Sequence, residues 1–523
     1  MMSQDTHQSL LRLDAARSNL RLWSATAPQT GLWADLPDED LARRLRIVSH
    51  TKRFVERYCV DPAFRLSAAQ DTRLAAAHCG VELDEDTLAA LATINGGGAQ
   101  PAHSMPDNVR LYVEFARERL DWHELRDMSG ASSNARFVAW RERQIARTRF
   151  ELPPLHGERS VHIPVSFELS KGCSVGCNFC GFSAPRLEGH FLYTPANARL
   201  WREVLEVVHG LLGRAAGAGF CYWATDPLDN PDYERFVLDF HRSMGTFPQT
   251  TTAQPLKDVP RLRHLLATAL GHGCKLNRIS ILSPGILARV HRLFAPEELA
   301  FVGIVPMSPG VQNLVGYPFQ ATPIISKTRA GRWLDHPRNP QFHEDEPGST
   351  STIACVSGFL FNMVERSVKL ISPCASSPRW RNGYIILDEA TFEDAGGLAA
   401  TLEAMISQHM PQAIRESDSI RLRSGLRYAP LLNGFSVTGA WHSVSVRHPF
   451  IFPGLVNCLQ LGEFVRSADM TAEQIVQAFA SNGVSRESVL DHLNSLLRSG
   501  VLDIDPAPAG SEAPRQHGLA TPA

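Results

Sequence analysis

The first 150 residues carry apolar side chains three and four positions apart amid charged residues, which is the pattern of amphipathic helices. This spacing predicts helices over residues 41–60, 71–79, 84–91 and 109–120. The intervening segment 95–108 is rich in Gly, Pro and Asn, and its composition predicts a loop. We therefore expect a helical domain at the start of the chain.

The pattern changes near residue 160, where short apolar strand candidates begin to alternate with helix candidates. The strand candidates are VHIPVSFEL, GFCYWA, QTTTA, RISIL and FVGIV, with a further one near residues 367–371. Helices are predicted between them at 196–212, 232–243, 262–270 and 286–293. Such alternation predicts an α/β domain of parallel βαβ units.

Towards the C-terminus the helical pattern returns in a smaller unit. Thr471 and Gln474 have the spacing of a capping box, and Ser485 is placed to begin a second helix. The apolar residues of that second helix share one face, and Gly500 is expected to end it. They are Val489, Leu490, Leu493, Leu496 and Leu497. Two short helices followed by VLDID predict a winged-helix-like module.

These patterns predict five segments along the chain. They are a helical accessory domain at 1–150, an α/β domain at 155–390, a connecting segment at 391–440, a winged-helix-like module at 441–504 and a disordered tail at 505–523.

Composition and charge narrow the classes of partner. The 523 residues are 44% hydrophobic, and 52 basic residues against 54 acidic ones give a net charge of -2. This balance provides no electrostatic reason to expect nucleic acid or a membrane surface as partner. The N-terminus lacks the features of a secretion signal, and no apolar run is long enough to predict a transmembrane helix. Ten scattered cysteines predict reduced thiols and a cytoplasmic protein.

A cluster of three cysteines follows the first predicted strand, in the sequence ELSKGCSVGCNFCG. Cys173, Cys177 and Cys180 have C-x3-C-x2-C spacing, and thiolates are the usual ligands of iron–sulfur clusters. Three thiolates on a [4Fe-4S] cluster leave one iron able to chelate a small molecule. A zinc knuckle and three incidental buried cysteines are the alternatives. Zinc usually takes four nitrogen or sulfur ligands, and no obvious fourth ligand lies nearby, so we favour the cluster.

This motif and its βα context resemble the radical S-adenosylmethionine (SAM) superfamily over about residues 160–390. The resemblance implies a partial (β/α)6 barrel whose site lies at the C-terminal ends of its strands. It also implies that the unique iron binds SAM, whose reductive cleavage gives methionine and a 5'-deoxyadenosyl radical that abstracts a hydrogen atom.

The resemblance also assigns SAM contacts at matching positions. Phe179 would lie beside the adenine, and Asp226 would replace the family's Glu that receives the methionine ammonium. Hydroxyls at the ends of the third and fourth strands are candidates for ribose or methionine contacts. Packing, a turn and ordinary strand hydroxyls are the respective alternatives. The candidate cofactor-binding residues are Phe179, Thr225, Asp226, Thr252, Ser280 and Ser283.

A further cysteine, Cys374, follows the strand candidate at 367–371 in the sequence ISPCASSPRW. A thiol can donate a hydrogen atom to a carbon radical, although an isolated cysteine is more often a buried structural residue. We find no obvious cobalamin-binding domain and no C-terminal cysteine array. Their absence from the sequence weakens radical methyl transfer and the common type of thioether formation.

The stretches GCSVGCNFCG, ATDPLDNPDYERF, STIACVSGF and ISPCASSPRWRNGY together resemble the proteusin-type radical SAM peptide epimerases. The resemblance implies conversion of L-residues to D-residues in a ribosomally made precursor peptide, with an external electron donor. By the family pattern the radical removes a Cα hydrogen, and the Cys374 thiol returns one from the opposite face. Two alternatives stay open. One is another radical SAM peptide maturase, such as a carbon–carbon bond former, and the other is a catalytically silent Fe-S or zinc protein that binds peptides.

Two segments are candidates for recognising the precursor. Residues 61–83, which include DPAFR and GVEL, resemble a nitrile-hydratase-like leader peptide and could mimic or help to dock one. An ordinary accessory helical domain explains them equally well. The module at 441–504 is predicted either to recognise the leader or to act as a structural cap.

Overall fold

The protein is described by a computed structural model with side chains. It describes residues 38–92, 105–128, 132–152, 162–177, 180, 182, 184–307, 354–375, 377, 379–380, 382–448 and 454–503.

The N-terminal part is helical, as predicted. Its helices are α1 (Asp38–Val60), α2 (Pro62–Gln70), α3 (Thr72–Cys79), α4 (Glu85–Ala92), α5 (Asp107–Met128) and α6 (Ala135–Glu151). Polar caps set the breaks between them: the Asp61 carboxylate accepts from the amide of Phe64, and Asp71 accepts from the amide of Leu74. Most of the loop predicted at 95–108 lies outside the described residues.

An α/β region follows, with its elements close to their predicted positions. They are β1 (Ile163–Glu168), β2 (Ser170–Lys171), β3 (Gly189–His190), α7 (Pro195–Leu212), α8 (Tyr233–Met244), β4 (Thr251–Thr252), α9 (Val259–Gly271), β5 (Arg278–Ile281), α10 (Pro284–Leu293) and β6 (Gly303–Pro306). Strands β4, β5 and β6 form a parallel sheet. The candidate GFCYWA makes only one isolated parallel bridge, from Phe220 to Ser166 on β1.

Three further strands complete the sheet around β1. They are β7 (Val356–Asn362), β8 (Ser367–Pro373) and β9 (Tyr384–Thr391), in the order β1-β7-β8-β9. Strand β7 is parallel to β1, whereas β8 and β9 are each antiparallel to the strand before them. The strand expected near 367–371 is therefore present but antiparallel. The described residues form an α/β fold with no closed barrel.

The ends of the strands form two opposite edges of this sheet, and the direction of β8 decides which of its residues lie at each edge. Glu168, the last residue of β1, pairs with Asn362, and Asn362 pairs with Ser367 at the start of β8. We call this side the carboxyl edge. The last residues of β8 lie instead beside the start of β7 and β1, which we call the amino edge.

The C-terminal unit mixes helices and small sheets. Its elements are α11 (Ala395–His409), β10 (Arg421–Leu422), β11 (Arg427–Leu431), β12 (Gly434–Thr438), β13 (Ser443–Arg447), α12 (Cys458–Ser467), α13 (Ala472–Ala480), α14 (Arg486–Arg498) and β14 (Leu502–Asp503). The capping box of Thr471 and Gln474 is confirmed, as is the cap at Ser485. Strands β11 and β12 begin before residue 441, so the predicted boundary falls inside the meander β11-β12-β13.

Buried apolar side chains form separate cores on the two sides of the sheet and in the C-terminal unit. Phe167 and Phe361 belong to the core between the sheet and its helices, whereas Trp223 and Ile371 belong to a smaller cluster on the inner face. Phe150 at the end of α6 joins the core of the C-terminal unit. None of the helices in the described ranges combines the length and apolarity needed to cross a bilayer.

Candidate functional site

The cysteine loop, residues 172–184, follows β2 in the chain, and its described residues 172–177, 180, 182 and 184 lie just beyond the carboxyl edge. Cys173 donates its amide to the carbonyl of Pro185 at 3.0 Å. Gly172 has φ +78°, and a Cβ there would lie 2.2 Å from the carbonyl oxygen of Arg186. Only glycine fits this position, because a side chain would collide with backbone. The loop is thus held closely against the following segment.

The three thiols of this loop are partly accessible. In the described part of the chain, no three His, Cys, Asp or Glu side chains are grouped to hold one metal ion. A [4Fe-4S] cluster offers each thiolate a separate iron, so its ligands need not converge on one point. The amide of Ala184 donates to Cys180 Sγ at 3.4 Å, and such a donor commonly orients a ligating group. The donor set therefore fits the cluster that the spacing predicts.

Cys173 has an environment that favours the neutral thiol. Its pKa is raised to about 12, chiefly by burial and also by the negative charges of Asp226 and Asp229, against a hydrogen bond from the amide of Val175 that lowers it. A metal must displace this proton to bind, so binding here would release protons. Because the charges of Asp226 and Asp229 affect the pKa of Cys173, both carboxylates lie near this first cysteine of the loop.

Asp226 is held at the ends of the second and third strand segments. Its carboxylate accepts from the Thr252 hydroxyl at 2.9 Å and from the amides of Ala253 at 2.7 Å and Leu228 at 3.0 Å. Burial raises its pKa to about 6, although these hydrogen bonds oppose the shift. The structure thus brings two of the predicted SAM contacts, Asp226 and Thr252, into contact with each other near Cys173. Much of the carboxylate's accepting capacity is already occupied by the protein.

The remaining predicted SAM contacts have different surroundings. Thr225 is buried, and its hydroxyl has no hydrogen-bond partner among the described residues. Ser280 lies on β5 with its side chain partly accessible. Ser283 accepts from the amide of Ile286 at 3.3 Å and so caps α10, a structural task. Phe179 lies outside the described residues.

The sequence reasoning did not select two further polar groups, Glu168 at the carboxyl edge and Arg278 at the opposite end of its own sheet, where β5 begins. Glu168 ends β1, where it accepts from the Ala224 amide at 2.9 Å and from the Asn362 side chain at 3.0 Å. Burial raises the pKa of Glu168 to about 7. Arg278 on β5 donates to Thr251 Oγ1 at 3.0 Å. Little in the sequence distinguishes these two residues. Glu168 begins the ELSKGC segment that precedes the cysteines, and Arg278 is the first residue of a strand candidate.

Cys374 lies at the amino edge, away from the cysteine loop. Its amide donates to the carbonyl of Gly383 at 2.9 Å, and its side chain is only 3% exposed. Seven positions separate it from Ser367 (374 minus 367), which lies at the carboxyl edge. At about 3.3 Å per strand residue, these positions span roughly 20 Å. The structure therefore does not bring Cys374 beside the three clustered cysteines.

A charged network surrounds the Cys374 segment. Arg147 on α6 donates to Ser372 Oγ at 2.9 Å and to the carbonyl of Pro373 at 2.5 Å. Glu151 accepts from Arg423 at 2.6 Å and from the amide of Ala375 at 3.4 Å. Burial raises the pKa of Cys374 to about 12, with Arg147 lowering it and Glu151 raising it. Helix α6 thereby ties this segment to the C-terminal unit.

Another thiol at the amino edge faces inward. Cys355 precedes β7, and its side chain packs against the inner cluster that contains Ile163 and Val356. It also lies near enough to Arg278 to affect the pKa of that guanidinium. The inner face of the sheet therefore carries a thiol other than the predicted one.

The segment that resembles a leader peptide is folded into the helical domain. Phe64 is buried in the main core, while Leu66 and Leu74 are 70% and 50% exposed. Asp61 and Asp71 serve as helix caps. The segment thus consists of the helices α2 and α3 and of the residues that follow α3, 80–83.

Comparison with known proteins finds a relative that aligns with most of the chain. No protein-family model matches the chain, and no solved structure matches it significantly. The uncharacterized protein y4wI of Sinorhizobium fredii (strain NBRC 101917 / NGR234) is 34% identical over 480 residues, which cover 90% of each chain. The chain therefore belongs to the same family as the uncharacterized protein y4wI.

Proposed function

We propose that this protein is a radical SAM enzyme that epimerises residues of a ribosomally made precursor peptide. The observation that carries the proposal is the arrangement at the carboxyl edge. There, a loop with three cysteines in C-x3-C-x2-C spacing adjoins Asp226 and Thr252 at the ends of neighbouring strands. The ends of parallel strands are where α/β enzymes commonly assemble their sites. The finer assignment of the α/β fold, a partial radical SAM barrel, is part of this proposal.

Different residues of the chain would bind the cluster and SAM. Cys173, Cys177 and Cys180 would hold a [4Fe-4S] cluster. Asp226 would receive the ammonium group of SAM at its remaining acceptor sites, because a carboxylate is a strong acceptor for a cation. Cluster and SAM, when bound, would supply the radical that removes a Cα hydrogen from the peptide.

The other SAM contacts would come from neighbouring strands. Thr252 is already oriented by Asp226, and Ser280 lies on β5. The uncommitted hydroxyl of Thr225 adds a third polar group at this edge. Ser283 and Phe179 complete the proposed set, with Ser283 also capping α10.

A thiol would complete the epimerisation by returning hydrogen to the opposite face of the Cα. Cys374 is the proposed donor, and burial suits this task because it keeps the sulfur protonated. After donation its thiyl radical must gain an electron and a proton before the next turnover. The external electron donor would supply that electron. The proposed setting is the cytoplasm, where ribosomal peptides are made, with a nitrile-hydratase-like leader as the recognition element.

A second candidate is a radical SAM peptide maturase that forms a crosslink. It is favoured by the position of Cys374 at the amino edge, roughly 20 Å along β8 from the carboxyl edge. A crosslink needs no hydrogen returned by a thiol, so this position would be of no consequence.

One experiment separates the two candidates. The reconstituted protein is incubated in D2O, without oxygen, with SAM, a reductant and the precursor peptide encoded beside its gene. Epimerisation predicts one solvent deuterium per altered residue, together with D-residues after hydrolysis. Loss of two hydrogens per event without deuterium uptake would establish the crosslinking candidate instead.

The control is the same incubation without SAM, in which the peptide should stay unchanged. Formation of D-residues in that control would exclude a SAM-dependent radical. If the complete reaction leaves the peptide unchanged and forms no deoxyadenosine, the proposed function is wrong.

A further inference from the structure

Asp229 lies three positions after Asp226, at the end of the 3-10 turn Pro227–Asp229. Its side chain is 0% exposed, although Ser174 beside it lies on an exposed part of the cysteine loop. A fully covered carboxylate requires strong compensating partners. The groups that donate hydrogen bonds to Asp229 indicate its role.

Four hydrogen bonds converge on this carboxylate. Ser174 donates to it from its backbone amide at 2.8 Å and from its hydroxyl at 2.5 Å. Gln254 Nε2 and Lys257 Nζ, from the turn after β4, both donate at 2.9 Å. Asp229 therefore joins the cysteine loop to the end of the third strand segment.

We propose that Asp229 is a positioning residue that holds the first turn of the cysteine loop, and that it sets the retention and reduction potential of the cluster bound there. The inference rests on the proposed function, since it concerns the same cluster. It assigns Asp229 no contact with SAM or with the peptide.

The first reason is geometric. Ser174 directly follows Cys173, so a carboxylate that fixes both the amide and the hydroxyl of Ser174 also fixes the direction of the preceding residue. Partners behind a metal ligand commonly orient that ligand and contribute to metal affinity. Without Asp229, the loop would keep the contact between Cys173 and Pro185 and the 3.2 Å bond from the Ser174 hydroxyl to Gln254 Oε1. It would lose both bonds to Asp229, including the one that the Ser174 amide donates to this carboxylate.

The second reason is electrostatic. Burial would raise the pKa of Asp229, but hydrogen bonds from Ser174, Gln254 and Lys257 outweigh burial and hold it below its usual value. The group is thus an anion at neutral pH. Hydrogen bonds and local charge set the potential of an iron–sulfur cluster. Asp229 supplies negative charge and occupies the Ser174 amide, which would otherwise be free to donate to a bound cluster.

Asp232 offers a matched control on the same segment. Its carboxylate accepts from the Tyr193 amide at 2.9 Å, which is the same kind of contact as that made to Ser174. Among the described residues, Asp232 is bonded or ion-paired with Tyr193, Asn230 and Arg235, none of which belongs to the cysteine loop. Asp232→Asn therefore changes the same chemical group without releasing that loop.

The experiment compares the reconstituted wild type with Asp229→Asn, Asp229→Ala and Asp232→Asn. Iron release to a chelator, the midpoint potential and the EPR spectrum of the reduced cluster are measured for each. We expect Asp229→Ala to release iron about tenfold faster than the wild type. Asp229→Asn should retain the cluster but shift its potential upwards, because negative charge is lost while Lys257 remains. Asp232→Asn should match the wild type. Wild-type release rates and potentials in both Asp229 variants would overturn the inference.

A measurement on the cluster-free protein separates this inference from the proposed function. Hydrogen exchange of the Ser174 amide should accelerate in Asp229→Ala and stay unchanged in Asp232→Asn. An unchanged exchange rate in Asp229→Ala would show that the loop is held by other contacts, which also overturns the inference. If the wild type itself takes up no sulfide-containing cluster, the proposed function fails and the inference about potential fails with it.

Discussion

At the carboxyl edge of the sheet, partly exposed thiols lie beside carboxylates that reach across neighbouring strand ends. At the amino edge, Cys374 is buried behind Arg147 and Glu151. The first arrangement is polar and leaves its thiols partly exposed, as a binding site requires, although its carboxylates are buried. The second is closed and protects a protonated thiol. Strand direction, rather than position after a strand, decides on which edge a residue lies.

The direction of β8 determines where Cys374 lies relative to the cysteine loop. The sequence places Cys374 after a strand, and in a wholly parallel sheet that position would lie at the carboxyl edge. Strand β8 is antiparallel to β7, so its end lies at the opposite edge. If Cys374 donates hydrogen, the peptide must extend through the interior towards the amino edge.

The largest effect is expected from the carboxyl edge. Cys177→Ala removes one of the three proposed cluster ligands and should reduce deoxyadenosine formation from SAM to the level of a sample without enzyme. The measurement is anaerobic incubation with SAM and reductant, followed by chromatography. Cys458→Ala, which alters a buried cysteine of the C-terminal unit, should keep wild-type activity. Full activity in Cys177→Ala would remove the basis for the site.

The next test compares the two thiols of the amino edge. Cys374→Ala should still form deoxyadenosine but no D-residues, whereas Cys355→Ala should form both. Configuration analysis of the hydrolysed peptide checks this. The reverse result would transfer the hydrogen donor to Cys355, which packs on the inner face of the sheet.

The rate at which Cys374 is alkylated measures how well the amino edge protects this thiol. Because the pKa of Cys374 is raised from 9.0 to about 12, its thiolate population near neutral pH should fall by about a thousandfold. Alkylation of Cys374 in the folded protein should slow by at least that factor relative to the unfolded chain. Mass spectrometry of the labelled peptides measures this rate. Similar rates before and after unfolding would show that the edge is open.

A smaller effect concerns Glu168 on the inner side of the carboxyl edge. Its pKa is raised from 4.5 to about 7, so the folded state binds more protons than the unfolded state between these values. Stability should therefore fall as pH rises through this window, by about 1.4 kcal/mol per unit at most. Glu168→Gln should flatten this dependence in denaturant unfolding of the cluster-free protein. An unchanged slope would contradict the burial of an ionisable group there.

Much of the fold follows from local pattern. Helices such as α7 and α14 were predictable because their apolar spacing and their caps, Thr194 and Ser485, depend only on residues that are close together in the sequence. The direction of β8 was not, because pairing depends on partners far along the chain. The GFCYWA segment has strand composition, but only Phe220 makes a ladder contact.

Candidate site residues could be selected from the sequence where they stand in short motifs with a characteristic spacing. The three cysteines and Asp226 stand in short motifs, so sequence was sufficient to select them. Asp229 stood in the same DPLDNP segment but was not selected, because its role appears only when the loop and the turn after β4 meet. Contacts between distant segments of this kind have no local signature.

The central claim is that Cys173, Cys177 and Cys180 hold a [4Fe-4S] cluster at the carboxyl edge. The most direct measurement is iron and acid-labile sulfide per chain, with EPR of the reduced protein before and after SAM addition. We predict about four irons and four sulfides in the wild type, a spectrum that changes with SAM, and neither metal nor signal in the triple alanine variant. Bound zinc without sulfide in the wild type, or an unchanged cluster in the triple variant, would contradict the account.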